Sequence, residues 1–251
     1  MNKDKRLVFK KRLAEIEKRT SRIPGFYRLP VEQRLAYLGR AFNLSEDQIS
    51  ALRNGNALRV EHAVNMVENA VGVMSMPLGL GLNYMVDNRE YIVPMAIEEA
   101  SIIAASSKAA LLIRSGNGFK TEVDDPVMIG QVQVLDLDNP EFAEQKIHEN
   151  KKEILSQANL ANPRMLKRGG GVFDLETRIL DGGEDIGKMV IIHLLFDVRE
   201  AMGANAVNYA CEAVGPVVEK ITGGRVNLRI LSNLADKRIA RARFSLPFKY
   251  L

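Results

Sequence analysis

The sequence predicts an α+β fold in two parts, and three observations carry that prediction. The first 125 residues mix helix-like apolar spacing with a single strand–turn–strand pattern. From residue 126 the composition shifts to strand-length runs rich in Val, Ile and Leu, separated by polar helical stretches. Between residues 126 and 231 these elements follow the order β-α-β-β-α-β.

The elements follow in chain order. Residues 5–20 read as a charged helix, and Pro24 with Gly25 breaks the chain into a loop through Arg28. Residues 30–42 and 45–54 read as short helices; Ser45, followed by Glu46 and Asp47, is an N-terminal cap signal. Val60 to Val71 has helical apolar spacing. Leu78–Val86 and Tyr91–Met95 flank Asp87-Asn88 and predict a hairpin. Residues 99–115 predict a helix stopped by Gly116. Its Ala and Ser content leaves a thin surface, suited to tight helix packing or to a ligand's close approach. Val127–Leu137 alternates like a strand, and Pro140–Ala158 reads as one polar helix. Phe173–Leu180 and Met189–Val198 are strands around the turn Asp181-Gly182-Gly183. Glu200–Ile221 is a long helix stopped by Gly223-Gly224, and Arg225–Leu231 is the last strand. The order from 126 to 231 is the ferredoxin-like split βαβ pattern.

Composition excludes several classes. Hydrophobic residues make up 46% of the 251 and charged residues 26%, ordinary for a globular protein. A net charge of +4, from 35 basic and 31 acidic residues, is too mild to indicate nucleic acid. Lys237, Arg238, Arg241, Arg243 and Lys249 read as a solvated face rather than a nucleic-acid site. The single cysteine, Cys211, and three widely spaced histidines fit no metal motif. Met1–Arg12 carries six Lys/Arg and no apolar core, so a secretory signal is not expected. The uncharged stretch Asn69–Val86 is broken by Pro77 and three glycines, which argues against a membrane span. A reducing, cytoplasmic setting is the expectation.

Glu98 and Glu99 stand where the strand-like run gives way to the thin helix, a place from which a carboxylate can move protons. No Gly-x-Gly-x-x-Gly follows a predicted strand, and no P-loop or Gly-x-Ser-x-Gly occurs. Two glycine-bearing segments remain. Lys167-Arg168-Gly169-Gly170-Gly171 is either a flexible turn with solvated charges or a backbone cradle for an anion. Asp197–Asn208 carries a strand into a helix, a junction that presents unpaired N–H groups. Gly203 there lowers helix stability by about 1 kcal/mol relative to Ala. Such a glycine implies a close neighbour, either the adjoining strand or a ligand. Asn205 and Asn208, three apart, share a face.

Taken in order, these segments resemble one family. Glu68-Asn69-Ala70-Val71-Gly72 is similar to the Glu-Asn-x-x-Gly motif of 3-hydroxy-3-methylglutaryl-CoA (HMG-CoA) reductases, and Met76-Pro77-Leu78-Gly79-Leu80 follows at their spacing. Glu98-Glu99-Ala100-Ser101 resembles the Glu-Glu-Pro-Ser of the bacterial class II enzymes. The glycine run, Asp197–Asn205 and Arg229–Asp236 look like later motifs in the same order, so the resemblance covers about residues 20–243.

The resemblance implies reduction of HMG-CoA to mevalonate and CoA with two hydrides, or the reverse. It implies residues 1–125 as the N-terminal part of an HMG-CoA-binding domain and 126–231 as a small NAD(P)-binding domain. Residues 232–251 begin the return to the large domain. Glu99 matches the catalytic glutamate, a proton donor whose pKa should rise to roughly 6–7 through burial. Ser101 matches a residue on the HMG group, and Arg28 one near the CoA phosphates. Asn162, Gly171, Glu200, Met202, Gly203, Asn205 and Asn233 match cofactor contacts; no metal is implied. Asn162 falls near the place of an acidic residue that reads the ribose 2′-hydroxyl in NADH-preferring members. With Arg164, Lys167 and Arg168 nearby, NADPH is expected over NADH. The family's His-Asn-Lys-Gly lysine, a second catalytic aspartate and a terminal histidine find no match in these residues. The expectation is a C-terminally truncated reductase chain, inactive in isolation. The resemblance implies a homodimer, and leaves room for a separate C-terminal chain that complements it. The alternative is a non-catalytic nucleotide- or CoA-binding protein.

Overall fold

A computed structural model describes residues 20–55 and 58–250; the helix expected over 5–20 lies almost wholly outside the described residues. The chain divides into two units, Met1–Thr121 with Ala242–Leu251, and Glu122–Arg241.

In the first unit, helix α1 (Val31–Phe42) ends at Asn43 in the left-handed region, φ 52°. Helix α2 (Glu46–Asn54) starts from a full capping box: the Ser45 side chain accepts from Gln48 N–H, and the Gln48 side chain accepts from Ser45 N–H. Helix α3 covers only Val60–Ala63, so the helix expected to reach Val71 stops early. Asn69 there has φ 58°, and Val64, Met66, Val67 and Val71 are exposed. An apolar stripe with nothing to bury against gives a short helix little stability.

Strands β1 (Leu78–Val86) and β2 (Arg89–Ala96) form the expected antiparallel hairpin. Asp87 and Asn88 both take positive φ, 49° and 65°, as a type I′ turn requires. Phe26, Tyr37 and Ala41 pack with Leu80, Leu82 and Ile92 into the core of this unit. Helix α4 (Ile102–Arg114) lies on β1. Gly79 sits so close that a Cβ there would meet Ile103 Cδ1 at 2.4 Å. Leu82 N–H donates to Ser107 Oγ at 3.0 Å, and Asn83 Nδ2 donates to Ser107 O at 2.9 Å. Packing thus claims the Ser106 and Ser107 side of the thin helix, while Ala104, Ala105 and Ala109 stay exposed.

Glu90 on β2 anchors the segment before α1. Its carboxylate accepts from Ser21 N–H at 2.8 Å, from the Ser21 hydroxyl, and from both terminal nitrogens of Arg114. Those donors hold Glu90 down at about 2, from an ordinary 4.5.

The second unit contains strand β4 (Val127–Leu135), helices α5 (Pro140–Glu149), α6 (Lys151–Leu160) and α7 (Pro163–Lys167), strands β5 (Gly171–Asp181) and β6 (Lys188–Asp197), helix α8 (Ala204–Thr222) and strand β7 (Arg225–Leu231). The sheet order β5-β6-β4-β7, antiparallel throughout, is the ferredoxin-like arrangement the sequence predicted. One face carries fully buried Val132, Val134, Val190, Ile192, Leu194 and Phe196, packed in one core with Ile147, Ile154, Val207, Val214 and Val218 of the helices. α8 comes close enough at Gly130 that a Cβ there would lie 2.5 Å from Cys211 Sγ. Two elements differ from expectation. The polar helix splits at Asn150, whose side chain turns back to donate to Lys146 O at 2.8 Å. α8 begins at Ala204 rather than residue 200, because Arg199 (φ 52°) and Gly203 (φ 94°) hold a turn before it.

Strands β3 (Lys120–Val123) and β8 (Ala240–Arg243) pair with each other and had no sequence signal. The architecture is α+β. Among the described residues no helix is long and apolar enough to cross a membrane. No group of three or more metal-ligating side chains occurs among them either.

Candidate functional site

Glu99 and Ser101 lie in the short turn between β2 and α4. Glu99 Oε1 accepts from Ser101 Oγ at 2.8 Å and from Ser101 N–H at 3.3 Å. Both side chains are exposed. The expected upward shift of the Glu99 pKa is therefore corrected. Hydrogen bonds from the Ser101 hydroxyl and then its amide favour the charged form, and lower the pKa below 4.5. Burial, which would raise it, is the smallest of the three effects at this exposed turn and is outweighed. Arg28 ends the 3₁₀ turn Phe26–Arg28, exposed, with its guanidinium over the Tyr27 ring at 5.2 Å and Nε donating to Tyr27 OH.

The other seven candidate residues belong to the second unit. The run Gly169-Gly170-Gly171 is not a loose turn. A Cβ on Gly170 would meet Asp197 O at 2.5 Å, and Gly171 has φ 122° beside the Asn159 side chain. Asn159 exchanges two hydrogen bonds with the backbone of Val172, at 2.8 and 2.9 Å. Arg199 Nε donates to Gly169 O at 2.8 Å, and Arg199 N–H donates to Asp197 Oδ1 at 2.9 Å. One arginine thus ties the two glycine-bearing segments together.

Gly203 is the N-cap of α8 and gives it no side-chain cap. Its close neighbour is Val198 of its own chain, 2.4 Å from where a Cβ would stand. The two asparagines expected to act on one face do different work: Asn205 is exposed, while Asn208 Oδ1 accepts from Leu231 N–H at 2.9 Å. Asn162 is buried, and its Nδ2 donates to Ala206 O at 3.0 Å, bracing the first turn of α8. Glu200, Met202 and Asn233 are exposed. Arg164, Lys167 and Arg168 are exposed along α7 and its end, a stretch without a carboxylate.

The basic segment after β7 is less solvated than its composition predicts. Lys237 pairs with Glu176 at 2.8 Å, Arg241 with Asp124 at 2.6 Å, and Arg238 donates to two backbone carbonyls. Neither Arg199 nor Arg238 stood out as a site residue in the sequence. A backbone carbonyl as partner leaves no residue-type signal.

The family model described as hydroxymethylglutaryl-coenzyme A reductase matches residues 30–251. The chain belongs to that family. A curated 3-hydroxy-3-methylglutaryl-coenzyme A reductase from Archaeoglobus fulgidus is 46% identical over 224 residues, which are 89% of this chain and 51% of that one. A solved reductase of Streptococcus pneumoniae superposes with a TM-score of 0.85 at 36% identity, covering 90% of this chain and 60% of that one. A class II reductase structure from the same organism, described as bound to NADPH in open conformations, gives 0.85 at 35% identity and covers 90% and 61%. The chain spans about half the length of the curated reductase it matches.

Proposed function

We propose that these residues supply the glutamate-bearing turn and the dinucleotide-binding unit of an NAD(P)H-dependent HMG-CoA reductase. The observation that carries this reading is the Glu99–Ser101 pair at the start of α4, in a chain whose residues 30–251 match the family.

The reaction converts a thioester to an alcohol and a thiol. The nicotinamide, when bound, supplies the hydrides. Protons must come from the protein, and a carboxyl group can deliver one only while protonated. Free Glu99 is charged and held so by Ser101. In this proposal Ser101 turns its hydroxyl to the HMG group. That removes the larger of the two lowering bonds, and the substrate covers the carboxylate. Both changes favour the protonated acid. Arg28, exposed on its turn, attracts the CoA phosphates.

The second unit fits a dinucleotide on two grounds. α8 begins with a glycine N-cap that leaves its first-turn N–H groups without a side-chain partner. The glycine run Gly169–Gly171 is held beside Asp197 rather than free. The diphosphate would lie at the α8 N-terminus, with Gly171, Glu200, Met202, Gly203, Asn205 and Asn233 around the cofactor. Asn162 acts one step back, through its bond to Ala206. Arg164, Lys167 and Arg168 favour a 2′-phosphate, so NADPH is the preferred form.

Titrating the chain with NADPH and NADH, followed by nicotinamide fluorescence, tests this. NADPH is expected to bind about tenfold tighter, the scale of one charge-assisted hydrogen bond. Tighter NADH would reverse the preference, and binding of neither would remove the dinucleotide reading.

Self-association as a dimer is part of the proposal, as is a cytoplasmic setting. Val71, Met74 and Met66 are 101%, 86% and 69% exposed along one segment, an apolar surface that a second copy would cover. Sedimentation equilibrium is expected to give twice the 27.9 kDa chain mass. A monomer at micromolar concentration would reject the dimer.

The exposure of Glu99 favours a second reading, in which these 251 residues bind nucleotide without turnover unless a separate chain completes the site. NADPH consumption with HMG-CoA by the isolated polypeptide would sink it.

A further inference from the structure

We propose that Arg238 is a positioning residue for the loop Asp197–Gly203, a role that rests on reading that loop as part of the dinucleotide site. Arg238 lies half-buried between β7 and β8. Its Nη1 donates to Ala201 O at 3.1 Å and to Met202 O at 3.3 Å.

In a trans peptide the C=O and the N–H that follows it point in opposite directions. Drawing the carbonyls of Ala201 and Met202 onto Arg238 therefore turns the N–H groups of Met202 and Gly203 away from it. Among the described residues no backbone carbonyl accepts from either amide. They stand directly before α8, whose N-cap has no side-chain acceptor. Successive unpaired N–H groups aimed the same way make an anion-binding concavity. Arg238 fixes their direction from behind without touching the ligand.

The loop needs this support. Met202 is 76% exposed and packs little. Gly203, at φ 94°, has a backbone free to adopt many conformations. Arg199 holds the other end of the loop, through Gly169 O and Asp197. Between them, Ala201 N–H donating to Val198 O is the remaining backbone tie within the loop. Removing Arg238 frees the two peptide groups that precede the helix.

The test compares the wild-type chain with Arg238→Met and Arg238→Lys by two measurements. Hydrogen exchange without cofactor reads Ala201 and Val207, whose amides donate to Val198 O and Gly203 O. Nicotinamide fluorescence reads NADPH binding. Arg238→Met should speed exchange at those two amides, weaken NADPH about tenfold and leave the unfolding midpoint unchanged. Arg238→Lys restores a cationic donor and should recover most of the affinity. Wild-type affinity in Arg238→Met would overturn the proposal. So would a global loss of stability in both variants with no recovery by lysine. If the wild-type chain binds no NADPH while Arg238→Met still speeds exchange, the dinucleotide reading itself has failed and Arg238 is only a structural brace.

Discussion

Replacing Glu99 with Gln should lower HMG-CoA-dependent NADPH oxidation by about 10²–10⁴-fold, the range spanned by loss of a general acid. The measurement belongs on the protein as its own cells make it. Gln keeps the size of the side chain and can still accept from Ser101, so α4 should start unchanged. It has no proton to give at neutral pH. NADPH affinity should hold, because the residues proposed to contact the dinucleotide belong to the other unit. The loss should therefore appear in kcat. Wild-type turnover by Glu99→Gln would remove Glu99 from the chemistry. A matched loss of NADPH binding would mean that the substitution had disturbed the fold. The pH profile adds an independent check. Free Glu99 titrates below its ordinary 4.5. If substrate binding moves Ser101 away and covers the carboxylate, the limb on which turnover falls as Glu99 loses its proton should lie at higher pH in kcat than in kcat/KM.

The second large effect concerns stability. Arg114→Met should destabilise the first unit by about 2–3 kcal/mol, somewhat below the cost of breaking a fully buried ion pair. Arg114 and Glu90 are 21% and 27% exposed, and the substitution strands a carboxylate in the packing around Ser21 and Tyr37. Urea denaturation at neutral pH measures it. The pH dependence follows from the sign of the Glu90 shift. Its folded-state pKa, about 2, lies below the unfolded 4.5. The contribution is thus complete above 4.5 and is lost as pH falls through the window down to about 2. In Arg114→Met the strongest lowering bonds are gone, so the stability lost across that window should shrink. An unchanged acid limb in the variant would show that Ser21 alone holds the Glu90 charge.

The most regular elements were the most legible. The Asp87-Asn88 turn, the Ser45 cap and the βαββαβ order depend on residues within a few positions of one another, and each formed as predicted. The failures share a cause. Val60–Val71 has helical spacing, but its apolar side chains stay exposed, and spacing alone does not hold a helix. The polar stretch 140–158 looks continuous, yet Asn150 turns its amide onto Lys146 O and divides it. Strands β3 and β8 pair across more than a hundred residues of chain, a separation that no local pattern reports.

By itself the sequence determined the class of fold, the antiparallel ferredoxin-like sheet and the ordered motifs that mark the family. The order of elements lives in periodicity and spacing, and the family in the resemblance of its motif residues; a linear chain displays both directly. Only the tertiary structure decided what the individual site residues do. Gly203 is required by Val198, Asn162 and Asn208 hold backbone groups, and the Gly169–Gly171 run is gripped by Arg199. Glu99 is an exposed, charged carboxylate in this conformation. A pKa depends on which dipoles and how much water surround a group, and a carbonyl partner such as those of Arg238 can belong to any residue. Both are set by packing, which the order of residues does not display.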